Sequence, residues 1–249
     1  MPVPSPQQRL SVRHRPQHRV PIMFQRWEKL LFLHWEVDPE TVRQSLPAGL
    51  SVDCHEGKAY VGIVPFFMRR VRFRGLPSLP YISNFLECNV RTYVHDESGT
   101  PGVWFYSLDT DRWLAHKAAR FAFHLPYFWA SMRARVDESV SYRLRRRFTE
   151  VHDVHYAYKR GVDTVAADPG SLEFFLLERY LFFSHSSRKK RLYSCRVHHE
   201  PYRFSHEGLD GWDVGPASWN GIVMPDDDAA HACVAEPVDV EVFALQRLR

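Results

Sequence analysis

The sequence lacks the features that mark disulfide-rich, zinc-binding and membrane proteins. Its 249 residues include only four cysteines, and Cys54, Cys88, Cys195 and Cys233 form no CxxC pair. Scattered cysteines are typical of reduced thiols in the cytoplasm. No apolar run approaches the roughly 18 residues that a membrane-spanning helix requires. The sequence therefore predicts a cytoplasmic protein without a disulfide framework or a membrane partner.

The signatures of several common enzyme classes are also absent. There is no P-loop, no G-x-S-x-G and no dinucleotide-binding fingerprint. The 14 histidines show no strong zinc-ligand spacing, so we expect neither a metal nor a cofactor. His199, just before Pro201 at the end of a predicted strand, is the histidine best placed to lie near a cavity, and a hydrogen-bonded turn is the alternative.

The positive charge of the chain lies in its first residues. Residues 1–21 hold four arginines, five prolines and no acid, and removing those four from the 33 basic residues leaves 29, equal to the 29 acidic ones. A neutral body does not indicate a nucleic-acid partner. We expect residues 1–21 to be a disordered basic tail, with phosphate binding by its arginines as the alternative, and residues 22–249 to form a single domain.

Apolar alternation and turn residues predict about eight strands and three helices. Asp38 followed by Pro39 has the pattern of a helix N-terminus, and residues 109–125 carry apolar side chains at helical spacing. Residues 85–94 and 103–109 flank a turn-rich segment, which indicates a hairpin. Because the strands follow one another as hairpins, we expect an α+β fold with an antiparallel sheet that is curled or closed.

One predicted strand, "FLECNVRTYV" at residues 85–94, has an unusual polar face. Glu87, Asn89, Arg91 and Tyr93 fall on one side, and apolar or small residues fall on the other. A half-exposed strand with its polar face in water is one interpretation. The other is a strand that turns this face into an enclosed lumen, where a desolvated carboxylate acts as a general acid or base and an arginine binds an anion.

Three observations favour the lumen. The next strand contributes Trp104, Phe105 and Tyr106, so neither of its faces resembles a solvent-exposed one. The face that carries Glu87 mixes charge sign and hydrogen-bond type, whereas solvated faces usually carry only Lys, Glu or Thr. Glu87 and Arg91 are four residues apart on one face, roughly 13 Å at the rise of a strand, so they do not pair readily with each other and need other partners. We therefore predict a pocket lined by aromatic side chains and by the polar face of residues 85–94.

Five segments, "LPAGLSVD", "FLECNVRTYV", "GTPGVWFYSLD", "AARFAFHLPYFWA" and "FFLLERYLFF", resemble an uncharacterised, mostly bacterial family called YqjF-like. The likeness runs from about Trp27 to Leu248. That family is placed in the acetoacetate decarboxylase-like superfamily and has no settled activity. The resemblance implies a closed antiparallel β-barrel with flanking helices and an internal ligand cavity. The pattern around Glu87 is similar to the decarboxylase segment that carries an active-site glutamate.

The decarboxylase chemistry does not follow from this resemblance. The decarboxylase motif is an arginine, a proline six residues later and then two lysines, one of which forms a Schiff base. Here Arg120 and Pro126 keep that spacing, but Tyr127 and Phe128 occupy the lysine positions and cannot form an imine. The second active-site glutamate of the decarboxylase falls near Ile63, where there is no carboxylate.

One lysine does lie near this motif: Lys117, three residues before Arg120 in the predicted helix. We interpret it as part of a solvated helix flank, with an amine of depressed pKa as the alternative.

Two functions remain open from the sequence. The first is acid–base catalysis on a keto or hydroxy acid without a Schiff base, in which Glu87 carries the proton, Arg91 anchors the anion and Tyr127 donates a hydrogen bond to an enolate-like oxygen. The second is non-catalytic ligand binding or sensing. In both cases the partner is a small carboxylate or carbonyl compound, and homo-oligomerisation is left open. The predicted ligand-binding residues are Asn89, Arg91, Tyr93, Trp104, Tyr106 and Arg120.

Overall fold

The computed structural model describes residues 2–149, 151–206, 208–225 and 227–248. The helices in these ranges are α1 (Pro6–Ser11), α2 (Pro39–Ser45), α3 (Trp113–Phe123), α4 (Leu172–Leu177) and α5 (Gly215–Ser218). The strands are β1 (Met23–Glu28), β2 (Leu30–Val37), β3 (Leu50–Val52), β4 (Ala59–Phe73), β5 (Phe85–Asp96), β6 (Pro101–Thr110), β7 (Tyr127–Val136), β8 (Val140–Arg146), β9 (Val154–Tyr158), β10 (Val165–Ala166), β11 (Leu181–Ser186), β12 (Arg191–His198), β13 (Arg203–Ser205), β14 (Leu209–Gly211), β15 (His231–Ala235), β16 (Val238–Val242) and β17 (Gln246–Arg247).

The strand pairings of the main sheet return to their starting point. β1 pairs with β4, β4 with β5, β5 with β6, β6 with β11, β11 with β12, β12 with β16, and β16 again with β1. The β6–β11 pairing is parallel, and the other six are antiparallel. β4 is long enough to pair with β1 along one half and with β2 along the other. The fold is thus mostly β-sheet with few helices, as the hairpin order predicted.

A second group of strands covers the outside of β4 and β5. β7, β8, β9 and β14 pair in that order, all antiparallel. Tyr142 and Tyr156 from this group pack with Ile63, Cys88 and Val90 in one apolar cluster. Both faces of β5 are therefore buried, one against this cluster and the other toward the interior of the main sheet. No helix among the described residues is long and apolar enough to cross a bilayer.

Local signals located α2 correctly and misplaced the start of α3. Asp38 caps α2 by accepting hydrogen bonds from the backbone N–H groups of Glu40 and Thr41, which satisfies two of the free N–H groups at a helix start. The predicted helix 109–125 begins only at Trp113. Asp109 is still part of β6, and its carboxylate accepts hydrogen bonds from Arg146 of β8.

More strands form than the predicted eight, since bulges and short edge pairings divide the apolar runs. The run near residue 30 splits into β1 and β2 at Lys29, whose φ is 54°. β7, which begins at Tyr127, is a strand that the sequence patterns did not predict.

The first described residues contain the short helix α1 and ion pairs to distant parts of the chain. α1 carries a capping box in which Ser5 and Gln8 cap each other's backbone. Arg9 pairs with Asp53 at 2.5 Å, and Arg15 pairs with Glu241 at 2.6 Å. These acidic partners lie far away in the sequence, so local composition gave no sign that the arginines are anchored.

Candidate functional site

A cavity of about 680 Å³ lies between the interior face of the main sheet and α3. Its walls come mainly from β1, β2, β4, β5, β6, the end of α4 and β11. Leu76 and Leu79 of the segment that follows β4, together with Leu114 and Phe121 of α3, border the cavity and are exposed to solvent. The cavity therefore opens between that segment and α3 and closes toward the middle of β5.

The polar face of β5 points into this cavity, as predicted. Glu87, Asn89 and Arg91 all line it. Across the β4–β5 pairing they lie opposite Phe66, Val64 and the backbone of Gly62, so β4 places no polar side chain directly opposite them.

The Glu87 carboxyl is buried at 2% exposure and accepts one hydrogen bond, from the Tyr127 hydroxyl at 2.8 Å. Burial raises the pKa of Glu87 to about 8; the Tyr127 hydrogen bond opposes this rise and the nearby Asp109 adds to it. Glu87 is thus mainly a neutral acid at pH 7. The resemblance aligned Tyr127 with a lysine of the decarboxylase motif, and here its hydroxyl contacts Glu87, the residue predicted to carry the proton.

Arg91 is a buried guanidinium without an ion-pair partner in the part of the chain that the structure describes. Its Nη2 donates to the Leu176 carbonyl at 3.1 Å and to the Tyr93 hydroxyl at 3.3 Å. Its Nε is buried and has no hydrogen-bond partner among the described residues. The aromatic ring of Phe32, 5.2 Å from the guanidinium carbon, offers only partial compensation. A buried cation of this kind is ready to bind an anion.

A second arginine, Arg179, lines the cavity beside Arg91, and sequence reasoning missed it. Its Nη1 donates to Asp53 at 2.8 Å and its Nε to the Phe175 carbonyl at 2.6 Å, whereas its Nη2 is buried without a partner among the described residues. Asp53 also pairs with Arg9, so one carboxylate serves two guanidinium groups. The available signal was a charged pair inside the apolar run "FFLLERYLFF".

Tyr93 was predicted to bind ligand, but it lies behind Arg91 and outside the lining of the cavity. Its hydroxyl donates to the Leu176 carbonyl at 2.9 Å and lies 2.7 Å from His34 Nε2. His34 Nδ1 is 3.0 Å from His231 Nδ1. Burial lowers the pKa of His34 well below its usual value and that of His231 to about 4, so both rings are neutral. Tyr93 therefore positions Arg91 through a buried neutral network.

The prediction that Trp104 and Tyr106 line the pocket was wrong. A bulge in the β5–β6 pairing leaves Tyr106 without an opposite residue and shifts the alternation of β6 by one position. Val103, Phe105 and Leu108 line the cavity instead. Without the bulge, the register that pairs Asn89 with Leu108 would have placed Tyr106 and Trp104 on the interior face.

The remaining candidates lie outside the cavity. Arg120 is exposed on α3 and donates to the Tyr127 carbonyl at 3.0 Å, so it supports β7 without lining the cavity. Lys117 is exposed and lies 5.7 Å from the ring of Trp113, as its interpretation as a solvated flank predicted. His199 is buried between two tyrosine rings, and burial lowers its pKa to about 4.

No lysine is found among the described residues that line the cavity. The chain has six lysines, and each is exposed to solvent: Lys29, Lys58, Lys117, Lys159, Lys189 and Lys190. The described residues also contain no group of three histidine, cysteine or acidic side chains close enough to hold a metal ion. The polar side chains that line the cavity include the carboxyl of Glu87, the amides of Gln25 and Asn89, the guanidinium groups of Arg72, Arg91 and Arg179, and the hydroxyls of Ser83, Tyr127 and Tyr202.

The sequence matches an established family over most of its length. Residues 24–239 match the DUF2071 family, an uncharacterized conserved protein. The chain belongs to this family. It is 34% identical over 208 residues to the uncharacterized protein YqjF of Bacillus subtilis, and the match covers 83% of this chain and 85% of the relative. The family resemblance drawn from the sequence is confirmed.

Solved structures with a similar fold include enzymes. The enduracididine biosynthesis enzyme MppR, with HEPES buffer bound, is similar with a TM-score of 0.66 and 14% identity, covering 93% of this chain and 89% of that one. An acetoacetate decarboxylase-like enzyme from Sphingomonas wittichii is similar with a TM-score of 0.61 and 14% identity, covering 92% and 94%. At these identities the likeness establishes an acetoacetate decarboxylase-like fold and leaves activity to be argued from the site.

Proposed function

We propose that this protein binds a small organic acid in the cavity and performs acid–base chemistry on a carbonyl group of that acid without forming a Schiff base. The observation that carries the proposal is the coexistence, on one strand face, of a buried Glu87 carboxyl hydrogen-bonded to Tyr127 and a buried Arg91 whose Nε–H has no partner among the described residues. We further propose that the strand pairings that return to β1 form a closed barrel. Residues 22–249 would then form one domain around this cavity.

The two arginines and the glutamate suit different parts of one ligand. The free Arg91 Nε–H and Arg179 Nη2–H supply donors for a ligand carboxylate at the closed end. Glu87 lies four positions from Arg91 toward the opening, roughly 13 Å along the strand, and both line the face along which a ligand would extend from the arginines. A ligand carbonyl is then held next to an acid whose pKa is close to physiological pH, the condition under which proton transfer is efficient.

In the proposed reaction, Glu87 exchanges a proton with the carbon next to the ligand carbonyl. As a carboxylate, it removes a proton from that carbon and leaves an enolate-like intermediate, whose negative charge the arginines stabilise. As an acid, it returns a proton to the same carbon. The Tyr127 hydroxyl, 2.8 Å from Glu87 Oε2, stabilises the carboxylate form during this cycle. Tyr127 thus acts on Glu87, and the predicted hydrogen bond to the ligand is a secondary role.

The comparisons support an organic acid as the ligand class. MppR, whose fold is similar, has been solved in complex with pyruvate. The absence of a lysine from the described cavity lining argues against imine chemistry. Non-catalytic binding or sensing of the same ligand is the second candidate, and the missing amine nucleophile favours it.

Deuterium exchange separates the two candidates. We expect the wild-type protein in D₂O to exchange the C3 protons of α-ketobutyrate, followed by NMR, and Glu87→Gln to abolish the exchange. Glu178→Gln is the matched control, because Glu178 is also buried and hydrogen-bonded to a tyrosine, Tyr180, but does not line the cavity. Ligand-dependent thermal stabilisation without exchange in wild type would establish the binding protein instead. Borohydride treatment with acetoacetate should add no mass, and an adduct on a lysine would refute the imine-free mechanism.

A further inference from the structure

The opening of the cavity is bordered by apolar side chains that face solvent. Phe73 is 46% exposed, Leu79 51% and Phe121 87%, and all three line the cavity. Leu76 and Leu114, also exposed, lie on the same border. Single exposed apolar residues are common, but a contiguous group that continues into a cavity indicates a binding surface.

The interior continues this apolar character toward Glu87. Met23, Met68 and Phe85 line the cavity between the opening and the polar groups of β5. Along β5 the polar groups begin at Glu87 and end at Arg91. The cavity therefore has two chemically different ends: an opening whose lining is mainly apolar, and a closed end that carries Arg91 and Arg179.

The volume also exceeds what a small keto acid occupies. About 680 Å³ corresponds to roughly 20 water-sized groups at about 30 Å³ each. Pyruvate has six non-hydrogen atoms, so bound at the arginines it would leave the apolar part of the cavity filled with water. Apolar walls gain most when an apolar ligand chain displaces that water.

The charge around the opening favours an anion. Arg70, Arg72 and Arg74 lie at the end of β4 and in the following turn, and none of them pairs with a carboxylate among the described residues. Arg72 also lines the cavity. A basic border attracts a negatively charged ligand to the opening and raises its rate of association.

We infer that the ligand is an amphipathic acid: a carboxylate with a carbonyl group close to it and an unbranched apolar chain that fills the outer cavity and leaves through the opening. This inference rests on the proposed function, because it uses Arg91 and Arg179 as the carboxylate site. It adds the chain, which contacts Met68, Phe85 and the exposed border. The carbonyl then lies near Glu87, between the charged end and the apolar end.

The test is calorimetric titration of the full-length protein with pyruvate, α-ketobutyrate, α-ketohexanoate, α-ketooctanoate and α-ketodecanoate. We expect affinity to rise about fourfold for each added methylene, from ~0.8 kcal/mol per buried methylene. The gain should end once the chain reaches solvent. Phe121→Ser and Leu79→Ser should weaken α-ketooctanoate several-fold and leave α-ketobutyrate unchanged. Val162→Ser, which alters a residue that is 95% exposed and outside the cavity lining, is the matched control.

The outcomes separate this inference from the proposed function. Equal affinity for all chain lengths, with binding still lost in Arg91→Met, would overturn the amphipathic ligand and leave the carboxylate site intact. If no keto acid binds and Arg91→Met changes nothing, both proposals fail. Equal binding of 2-octanone and α-ketooctanoate would show that the carboxylate is not recognised and would also overturn the inference. A further outcome is that Phe121→Ser changes the sedimentation of the protein and leaves the dependence of affinity on chain length unaltered. The exposed border would then belong to a dimer interface, and that result would also overturn the inference.

Discussion

Replacing Glu87 by glutamine should make the protein less sensitive to pH. The unfolded chain releases the Glu87 proton near pH 4.5, whereas the folded protein holds it until about pH 8. Between these values the folded state binds a proton that the unfolded state has lost, so the free energy of unfolding falls as pH rises. Below pH 4.5 both states are protonated and the stability contribution is fully present. Glutamine keeps the shape of the side chain and cannot titrate.

The magnitude follows from the two pKa values. The interval between 4.5 and about 8 corresponds to about 5 kcal/mol over the whole titration, and to about 3 kcal/mol between pH 4 and pH 7. Wild type should therefore lose about 3 kcal/mol more than Glu87→Gln over that range. Other buried carboxyls with raised pKa values, such as Asp109 and Glu178, are present in both proteins and cancel in the difference.

Urea unfolding at a series of pH values, monitored by tryptophan fluorescence, measures this difference. The m-value should remain the same in both proteins, so that midpoints report stability directly. Parallel stability curves for wild type and Glu87→Gln would show that Glu87 has the same pKa folded and unfolded. That result would refute the assignment of Glu87 as a buried neutral acid.

Three further substitutions test the surroundings of the site. Tyr127→Phe removes the hydrogen bond that opposes the burial effect, so the pKa of Glu87 should rise further and the pH dependence of stability should extend to higher pH. Gly62→Ala should destabilise the protein by about 1–3 kcal/mol, because the added Cβ would lie 2.9 Å from His34 Cδ2. Asp53→Asn should cost about 3–5 kcal/mol in urea unfolding, since it leaves two partly or fully buried guanidinium groups without their carboxylate.

Two of these substitutions have internal controls. Arg43→Gln removes an exposed pair with Glu40 and should change stability by less than about 1 kcal/mol. Gly57→Ala meets no atom within 4 Å, so any cost there reflects its positive φ alone and not a clash. If Gly62→Ala lowers the free energy of unfolding no more than Gly57→Ala does, then Gly62 does not pack closely against His34. If Asp53→Asn matches Arg43→Gln, the buried triad contributes nothing.

The sequence carried enough information to identify the wall of the site. Alternation along residues 85–94 predicted that Glu87, Asn89 and Arg91 share a face, and the structure confirms that this face lines the cavity. The mixture of charge sign and hydrogen-bond type was one of the signals, because a solvated face has no need of it. The hairpin order of the strands likewise predicted a mostly antiparallel sheet with few helices.

Other parts depended on contacts between distant segments. The bulge at Tyr106 reverses which side of β6 faces inward, and a one-residue irregularity leaves no mark on the composition. Arg179 enters the cavity because Asp53, far away in the chain, neutralises part of its charge. The same carboxylate pairs with Arg9 of α1, a contact between distant segments that local composition does not indicate.

The central claim is that a ligand carboxylate binds beside a glutamic acid that still carries its proton. The number of protons taken up on binding tests this most directly. Calorimetry of α-ketooctanoate at pH 8, repeated in buffers of different ionisation enthalpy, should show uptake of up to about half a proton per ligand in wild type, because an added anion raises the pKa of a half-ionised Glu87. Glu87→Gln should bind without proton uptake. Binding to wild type with no proton uptake would contradict the account.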